Sequence, residues 1–133
     1  MTATQSLPGP ALVINHINVL TRDLARSARF YTEVLGFTYV MNLGPAKMVF
    51  DAGGFDFFLE QADEIHLNPS FHFGLKASLD AVLAFAEKLK LHGVPLTKGN
   101  NPEPIVYTTP DGKRTALYFR DPDDWEIEVY TAV

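Results

Sequence analysis

The side chains of this sequence best suited to chemistry are two imidazoles, His16 and His72, and two carboxylates, Glu60 and Glu128. The chain has no cysteine, which removes a thiolate nucleophile, a disulfide framework and any Cys-ligated zinc or iron–sulfur site. Any metal must therefore be held by His and carboxylate. Two imidazoles with one or two carboxylates suit a divalent ion such as Zn, Ni, Mn or Fe(II), and leave coordination positions for water or substrate. An ion held in this way polarises a carbonyl or enediolate oxygen and contributes several kcal/mol to a transition state without a protein nucleophile. It also accounts for carboxylates on an inward face, where an unpaired charge costs several kcal/mol.

Apolar patterning names the elements that must carry these residues. Residues 12–20 are apolar and β-branched apart from Asn15, His16 and Asn18, and read as a strand. Asp23 caps a helix whose apolar positions Leu24, Ala28, Tyr31, Val34 and Leu35 recur at three- and four-residue steps, with Gly36 ending it. Strands are predicted at 37–41, 47–51 and 55–60, separated by Leu43-Gly44-Pro45 and Gly53-Gly54 turns. After a polar connector (61–69) the order repeats. A strand at 70–77 precedes a helix capped by Ser78 and closed by Gly93, and strands follow at 104–109, 114–120 and 126–131. Each half is β-α-β-β-β, so the expected fold is α+β, one domain over 1–133 with modules at about 12–60 and 70–131. Four strands and one helix leave each sheet with an uncovered face. Pairing two such units forms a curved mixed sheet around a cleft, the expected metal-binding site.

Strand alternation then assigns faces. With Phe71, Phe73 and Leu75 toward the core, His72, Gly74 and Lys76 face the cleft. Ile127 and Val129 send Glu126, Glu128 and Tyr130 the same way. Phe57 and Leu59 do so for Asp56, Phe58 and Glu60, and Ile17 and Val19 for His16 and Asn18. Tyr118 and Arg120 oppose Leu117 and Phe119 and join the cleft side. The metal ligands expected are His16, His72, Glu128 and Glu60. Glu128, Glu60 and Tyr118 are the catalytic candidates, and Arg120, Asn18 and Phe58 the substrate-binding ones. His66, in the polar connector, and His92, at a helix C-terminus favourable to an imidazolium, read as structural or solvent-facing.

Composition excludes other classes. With 11 Lys+Arg, 16 Asp+Glu and a net charge of −5, no basic cluster tracks a phosphate backbone, so nucleic acid is not an expected partner. No run approaches the roughly 20 apolar residues of a membrane span. Residues 1–10 read as a loose Pro/Gly-containing arm without a positively charged leader, and a cytoplasmic address is expected.

The run His16-Ile17-Asn18-Val19-Leu20-Thr21-Arg22-Asp23-Leu24, with Ser27, Phe30-Tyr31 and Val34-Leu35-Gly36-Phe37, resembles the opening of the vicinal oxygen chelate superfamily, which holds glyoxalases, bleomycin-resistance proteins and extradiol dioxygenases. The segment from Tyr118 to Glu128, with Asp121-Pro122-Asp123-Asp124-Trp125 at its centre, resembles the family's second signature. The resemblance implies paired βαβββ modules, a divalent metal and a homodimer. It places the usual ligands at His16, His72 and Glu128, with Glu60 matching the fourth ligand of glyoxalase-like members. A site within one chain and a site shared between two copies both satisfy the sequence.

Departures narrow the activity. Asp124 and Trp125 stand where the family commonly has Gly and Asn. Asn18 replaces the threonine of the fosfomycin-type thiol transferases. Thr109, Pro110 and Asp111 stand where extradiol dioxygenases have a histidine, although Tyr118 keeps their tyrosine position, ten residues before the ligand glutamate. The leading expectation is a glyoxalase-like lyase or isomerase acting on a small substrate that chelates the ion through adjacent oxygens, with Glu128 or Glu60 as base. The alternatives are an extradiol-type dioxygenase and a metal-free drug-sequestering protein whose cleft, lined by Phe58, Tyr118 and Trp125, stacks an aromatic ligand.

Overall fold

Asp23, the residue expected to start the first helix, does so: its carboxylate accepts the Arg26 N–H at 3.0 Å. In the computed structural model, which describes residues 11–133, β1 (His16–Thr21) leads through this cap into α1 (Leu24–Arg29) and a π-helical turn, Phe30–Val34. The strands β2 (Thr38–Asn42), β3 (Lys47–Asp51) and β4 (Asp56–Gln61) complete the first module. The second runs β5 (His72–Lys76), α2 (Leu79–Leu91), β6 (Leu96–Thr97), β7 (Tyr107–Thr108), β8 (Arg114–Arg120) and β9 (Glu126–Ala132). Ser78 caps α2 by accepting the Ala81 N–H.

The strands form two mixed sheets, ordered β1-β4-β3-β2 and β5-β9-β8-β6, with β7 also on β8. In each, the module's first strand lies parallel to its last, as expected for the α+β arrangement of two βαβββ units. Several boundaries differ from expectation. Pairing begins at His16, and Leu12, Val13 and Ile14 are 91%, 79% and 87% exposed among the described residues. The strand expected at 104–109 shrinks to Tyr107–Thr108, because Pro104 lacks the N–H that a ladder needs. A short strand, Leu96–Thr97, pairs with β8 instead. The expected N-terminal arm, 1–10, lies outside the described residues. Among the described residues no helix is long and apolar enough to cross a membrane.

One buried cluster draws on both modules, with Tyr31, Phe50, Phe57 and Leu59 from the first and Val82, Leu89, Leu117, Phe119 and Ile127 from the second. Phe57 meets Phe73 with ring centroids 5.8 Å apart, and Phe30 meets Phe119 at 6.3 Å. The helix-covered faces thus share a core. The turn between β8 and β9 fastens them. Asp121 Oδ2 accepts the Tyr31 hydroxyl at 2.7 Å, and Oδ1 accepts the N–H groups of Asp123 and Trp125. Asp123 accepts the Arg22 N–H, Arg26 Nη2 at 2.7 Å and the Ser27 hydroxyl. The Trp125 indole N–H donates to the Leu20 carbonyl at 2.8 Å. Asp124, where the family commonly has Gly, holds the left-handed conformation at φ 71°, so the departure changes the residue while the turn keeps a glycine-type backbone.

Folding shifts the two aspartates in opposite directions. Burial pushes Asp121 up to about 6, against the lowering effect of its Tyr31 and backbone hydrogen bonds. At Asp123 burial also acts to raise the pKa, but donors from Thr21, Arg22 and Arg26, with the Arg26 charge, outweigh it and hold the carboxyl below its ordinary range. An acid whose pKa rises on folding takes up a proton more readily in the folded state. Its stabilising contribution is complete below 3.8 and is lost as pH rises through about 6. Asp121→Asn keeps an oxygen for the two backbone donors and removes this titration. Denaturant unfolding of both chains should show the stability of the natural chain relative to Asp121→Asn falling by roughly 3 kcal/mol between about pH 4 and pH 7. A pH-independent difference would contradict the assignment.

Candidate functional site

The first strand of each module opens with a histidine. His16 is paired in register with Asp56, and His72 with Glu126. Two residues further along the partner strands, Gly74 stands opposite Glu128 and Asn18 opposite Phe58. Residues paired in this way share a face, so the module-two pair His72 and Glu128 has His16 and Phe58 as its counterpart in module one. Glu60, the expected fourth ligand, lies one alternation beyond the position equivalent to Glu128.

Module two brings its pair together. His72 Nε2 lies 3.4 Å from Glu128 Oε1. The other oxygen, Oε2, accepts the Tyr118 hydroxyl at 3.0 Å and is ion-paired with Arg114 Nη2. Glu128 is only 5% exposed, buried on the polar face of its sheet by these groups. The His72 and Tyr118 rings meet edge to face at 5.9 Å. A Cβ at Gly74 would stand 3.5 Å from Oε1 and 3.3 Å from Tyr130 Cε1, so glycine keeps the approach to that oxygen open. Gly99, at φ 53°, rides on the Tyr118 ring where any Cβ would overlap it. The loop carrying Gly99 is tied down by buried Asn101, whose amide donates to the Ala116 and Ile105 carbonyls.

Module one has a different cluster. His16 stacks on Phe58 with centroids 5.1 Å apart, and its Nδ1 lies 2.8 Å from the Asn15 side-chain oxygen. The Asn18 amide donates to Glu60 Oε1 at 3.0 Å, and Lys47 Nζ stands 3.5 Å from the same oxygen. Among the described residues no hydrogen bond, ion pair or ring contact links this cluster to His72 and Glu128, and no three His, Asp or Glu stand close enough together to hold a metal ion. The polar faces of the two modules do not close over each other within one chain, because the modules meet through their helix-covered faces.

Other expected residues fall as follows. Tyr118 is buried and bonded to Glu128. Arg120 lines a polar pocket of about 330 Å³ together with His72, Thr97, Lys98 and Glu126; the carboxylate of Asp123 is occupied by Arg22 and Arg26 instead. Trp125 packs edge to face against Phe71 at 5.5 Å. His66 is exposed beside Glu64, and His92 caps the C-terminus of α2. The sequence reading missed Arg114, although the alternation that selects Tyr118 and Arg120 on β8 selects it too. It also missed Gly99 and Asn101, whose places depend on a loop without periodic signal.

Among the described residues His72 and Glu128 supply one nitrogen and one oxygen donor of the kind a divalent first-row ion takes, and His16 stands apart from them. Donor atoms each about 2.1 Å from one ion and at right angles lie about 3 Å apart, close to the separation of His72 Nε2 and Glu128 Oε1. Comparison with known proteins agrees with this architecture. The chain is 30% identical over 116 residues to the "Probable trivalent organoarsenical cleaving enzyme" of Bacillus subtilis (strain 168), covering 84% of this chain and 76% of that protein. The lactoylglutathione lyase of Agrobacterium tumefaciens superposes with a TM-score of 0.72 at 21% identity, over 92% of this chain and 95% of that one. A mutant fosfomycin resistance protein from Listeria monocytogenes, complexed with Mn(II) and 1S,2S-dihydroxypropylphosphonic acid, superposes at 0.77 with 17% identity, over 93% of each chain. Residues 13–129 match the sequence profile of a single superfamily, and with the paired βαβββ modules they make this chain a member of the Glyoxalase/Bleomycin resistance protein/Dioxygenase superfamily.

Proposed function

We propose that the chain is a cytoplasmic, metal-dependent enzyme of the vicinal oxygen chelate type, a glyoxalase-like lyase or isomerase acting on a small substrate with adjacent oxygens. The observation that carries this reading is the buried Glu128 carboxylate, with one oxygen turned to His72 at 3.4 Å. Arg114 and Tyr118 take the other oxygen, so the oxygen beside His72 is the one left for an ion. His72 and Glu128 would hold the ion from module two and His16 from module one. Bound there, a Zn, Ni, Mn or Fe(II) ion would supply Lewis-acid polarisation of the substrate oxygens.

His16 reaches the other two only if a second copy brings it. A two-fold dimer that lays module one of each copy over module two of the other completes two equal sites. The surface supports this assembly: Leu12, Val13 and Ile14 are almost fully exposed, and β2 shows Tyr39, Val40 and Met41 to solvent, apolar area of the kind that marks a contact. In the closed site Phe58 occupies the place a fourth ligand would take, and Glu60, held by Asn18 and Lys47, is left as a base or as a partner for substrate. Tyr118 donates its hydroxyl to Glu128 and would act in catalysis through that carboxylate. Arg120 and Lys98, in the pocket beside His72, suit a substrate with an anionic end. The activity named for the Bacillus subtilis relative is not carried over, because trivalent arsenic is a soft centre best held by thiolates and this chain has no cysteine.

The second reading, a metal-free binder of aromatic drugs, draws on the Phe58 platform under His16. Elemental analysis separates the two. The enzyme reading expects about one divalent ion per chain in the natural protein, lost in His72→Ala and in Glu128→Gln with the fold intact; a metal-free protein that binds aromatic drugs equally well before and after His72→Ala would establish sequestration. Turnover is then sought among α-ketoaldehyde–thiol adducts, catechols and epoxides. Sharing of the site is tested by co-refolding His16→Ala with His72→Ala. Each mixed dimer holds one intact site, so about a quarter of the natural metal content should return, whereas a site built within one chain would recover none.

A further inference from the structure

Resting on the metal-site reading above, we propose that Arg114 is a positioning residue: with Tyr118 it occupies one oxygen of Glu128 and dedicates the carboxylate to one-oxygen coordination. The two oxygens of this side chain have different neighbours. Oε2 takes the Tyr118 hydroxyl at 3.0 Å and the Arg114 guanidinium, while Oε1 faces His72 Nε2 at 3.4 Å. Two donors on the same oxygen fix the plane of the carboxylate as well as its position. A carboxylate free to turn could offer both oxygens to an ion; this one is held so that a single oxygen points at the imidazole.

The holders are themselves held. Arg114 opens β8, and its Cζ lies 4.4 Å from the centroid of the Tyr130 ring, a stacking that suits a planar guanidinium and that a lysine ammonium does not reproduce in full. Tyr118 is seated from above by Gly99. Gly74 leaves the Oε1 side clear. The guanidinium beside the carboxylate offsets the charge that a side chain 5% exposed would otherwise bury unpaired. An incoming dication then meets a carboxylate already partly neutralised, so Arg114 fixes geometry and weakens binding together.

The test is a Co(II) titration of the metal-free, full-length protein, followed by calorimetry and by visible absorption. Arg114→Met removes the competing cation and frees the second oxygen. It is expected to bind Co(II) about tenfold more tightly than the natural chain, with a changed visible band and a larger rise in melting temperature on metal addition. Arg114→Lys, which restores the charge, is expected to return affinity most of the way. Unchanged affinity and spectrum with only a lower melting temperature would mean a merely structural salt bridge and would overturn the proposal, as would weaker binding by Arg114→Met. If Arg114→Met does not fold, Arg114→Gln is judged by the same criteria. Absence of any His72-dependent Co(II) binding in the natural chain removes the metal-site reading and this proposal with it; His72-dependent binding that Arg114→Met leaves alone removes only the proposal.

Discussion

The docking of the two modules depends on two aspartates buried where the last turn of module two meets the first helix of module one. Asp121 and Asp123 are 4% and 2% exposed, and carboxylates at that depth are tolerated only with a full set of donors. Module one supplies them: the Tyr31 hydroxyl, the Ser27 hydroxyl, the Arg22 N–H and the Arg26 guanidinium. Because these four donors come from one module and their acceptors from the other, they tie the modules into this docking. That docking turns the helix-covered faces together and the polar faces apart. The separation of His16 from His72 follows from it.

The same residues explain why the family was legible in the sequence and the reaction was not. Asp23, Ser27, Tyr31, Asp121 and Asp123 belong to the runs that resemble the superfamily, and their work is helix capping and module docking. A motif made of docking residues identifies an assembly; it carries no information about a substrate. Alternation did place His72, Glu128 and Tyr118 correctly on one face, because a period of two with strong apolar rows at Phe73, Leu75, Ile127 and Val129 leaves no other choice.

Register was the part that sequence could not supply. Glu60, expected as the fourth ligand from the superfamily resemblance, stands two residues beyond the strand position equivalent to Glu128. The pairing of Asn18 with Phe58 and of Gly74 with Glu128 puts a phenyl ring in that place instead. The connections between first and last strand differ in length between the modules, so only the hydrogen-bonded ladder aligns them. The loop that seats Tyr118 was hidden for a related reason: Gly99 and Asn101 act through a left-handed backbone and a side chain bonded to carbonyls, and neither leaves a periodic trace. β6, two residues long, is too short to have one.

The asymmetry between the repeats has an electrostatic logic. On the module-two face Glu128 is balanced by Arg114, and on the module-one face Glu60 is balanced by Lys47, so closing one face over the other buries no net charge. A dication held between them, as proposed, would be the excess charge, with Arg120 and Lys98 adding to it from the pocket beside His72 and Glu126 opposing them. In a site partly withdrawn from water such an excess is costly until an anion arrives. A second carboxylate in place of Phe58 would offset part of it from within the protein. With a phenyl ring there, the offset would fall to the substrate, and the proposed site would favour a negatively charged molecule over a neutral one.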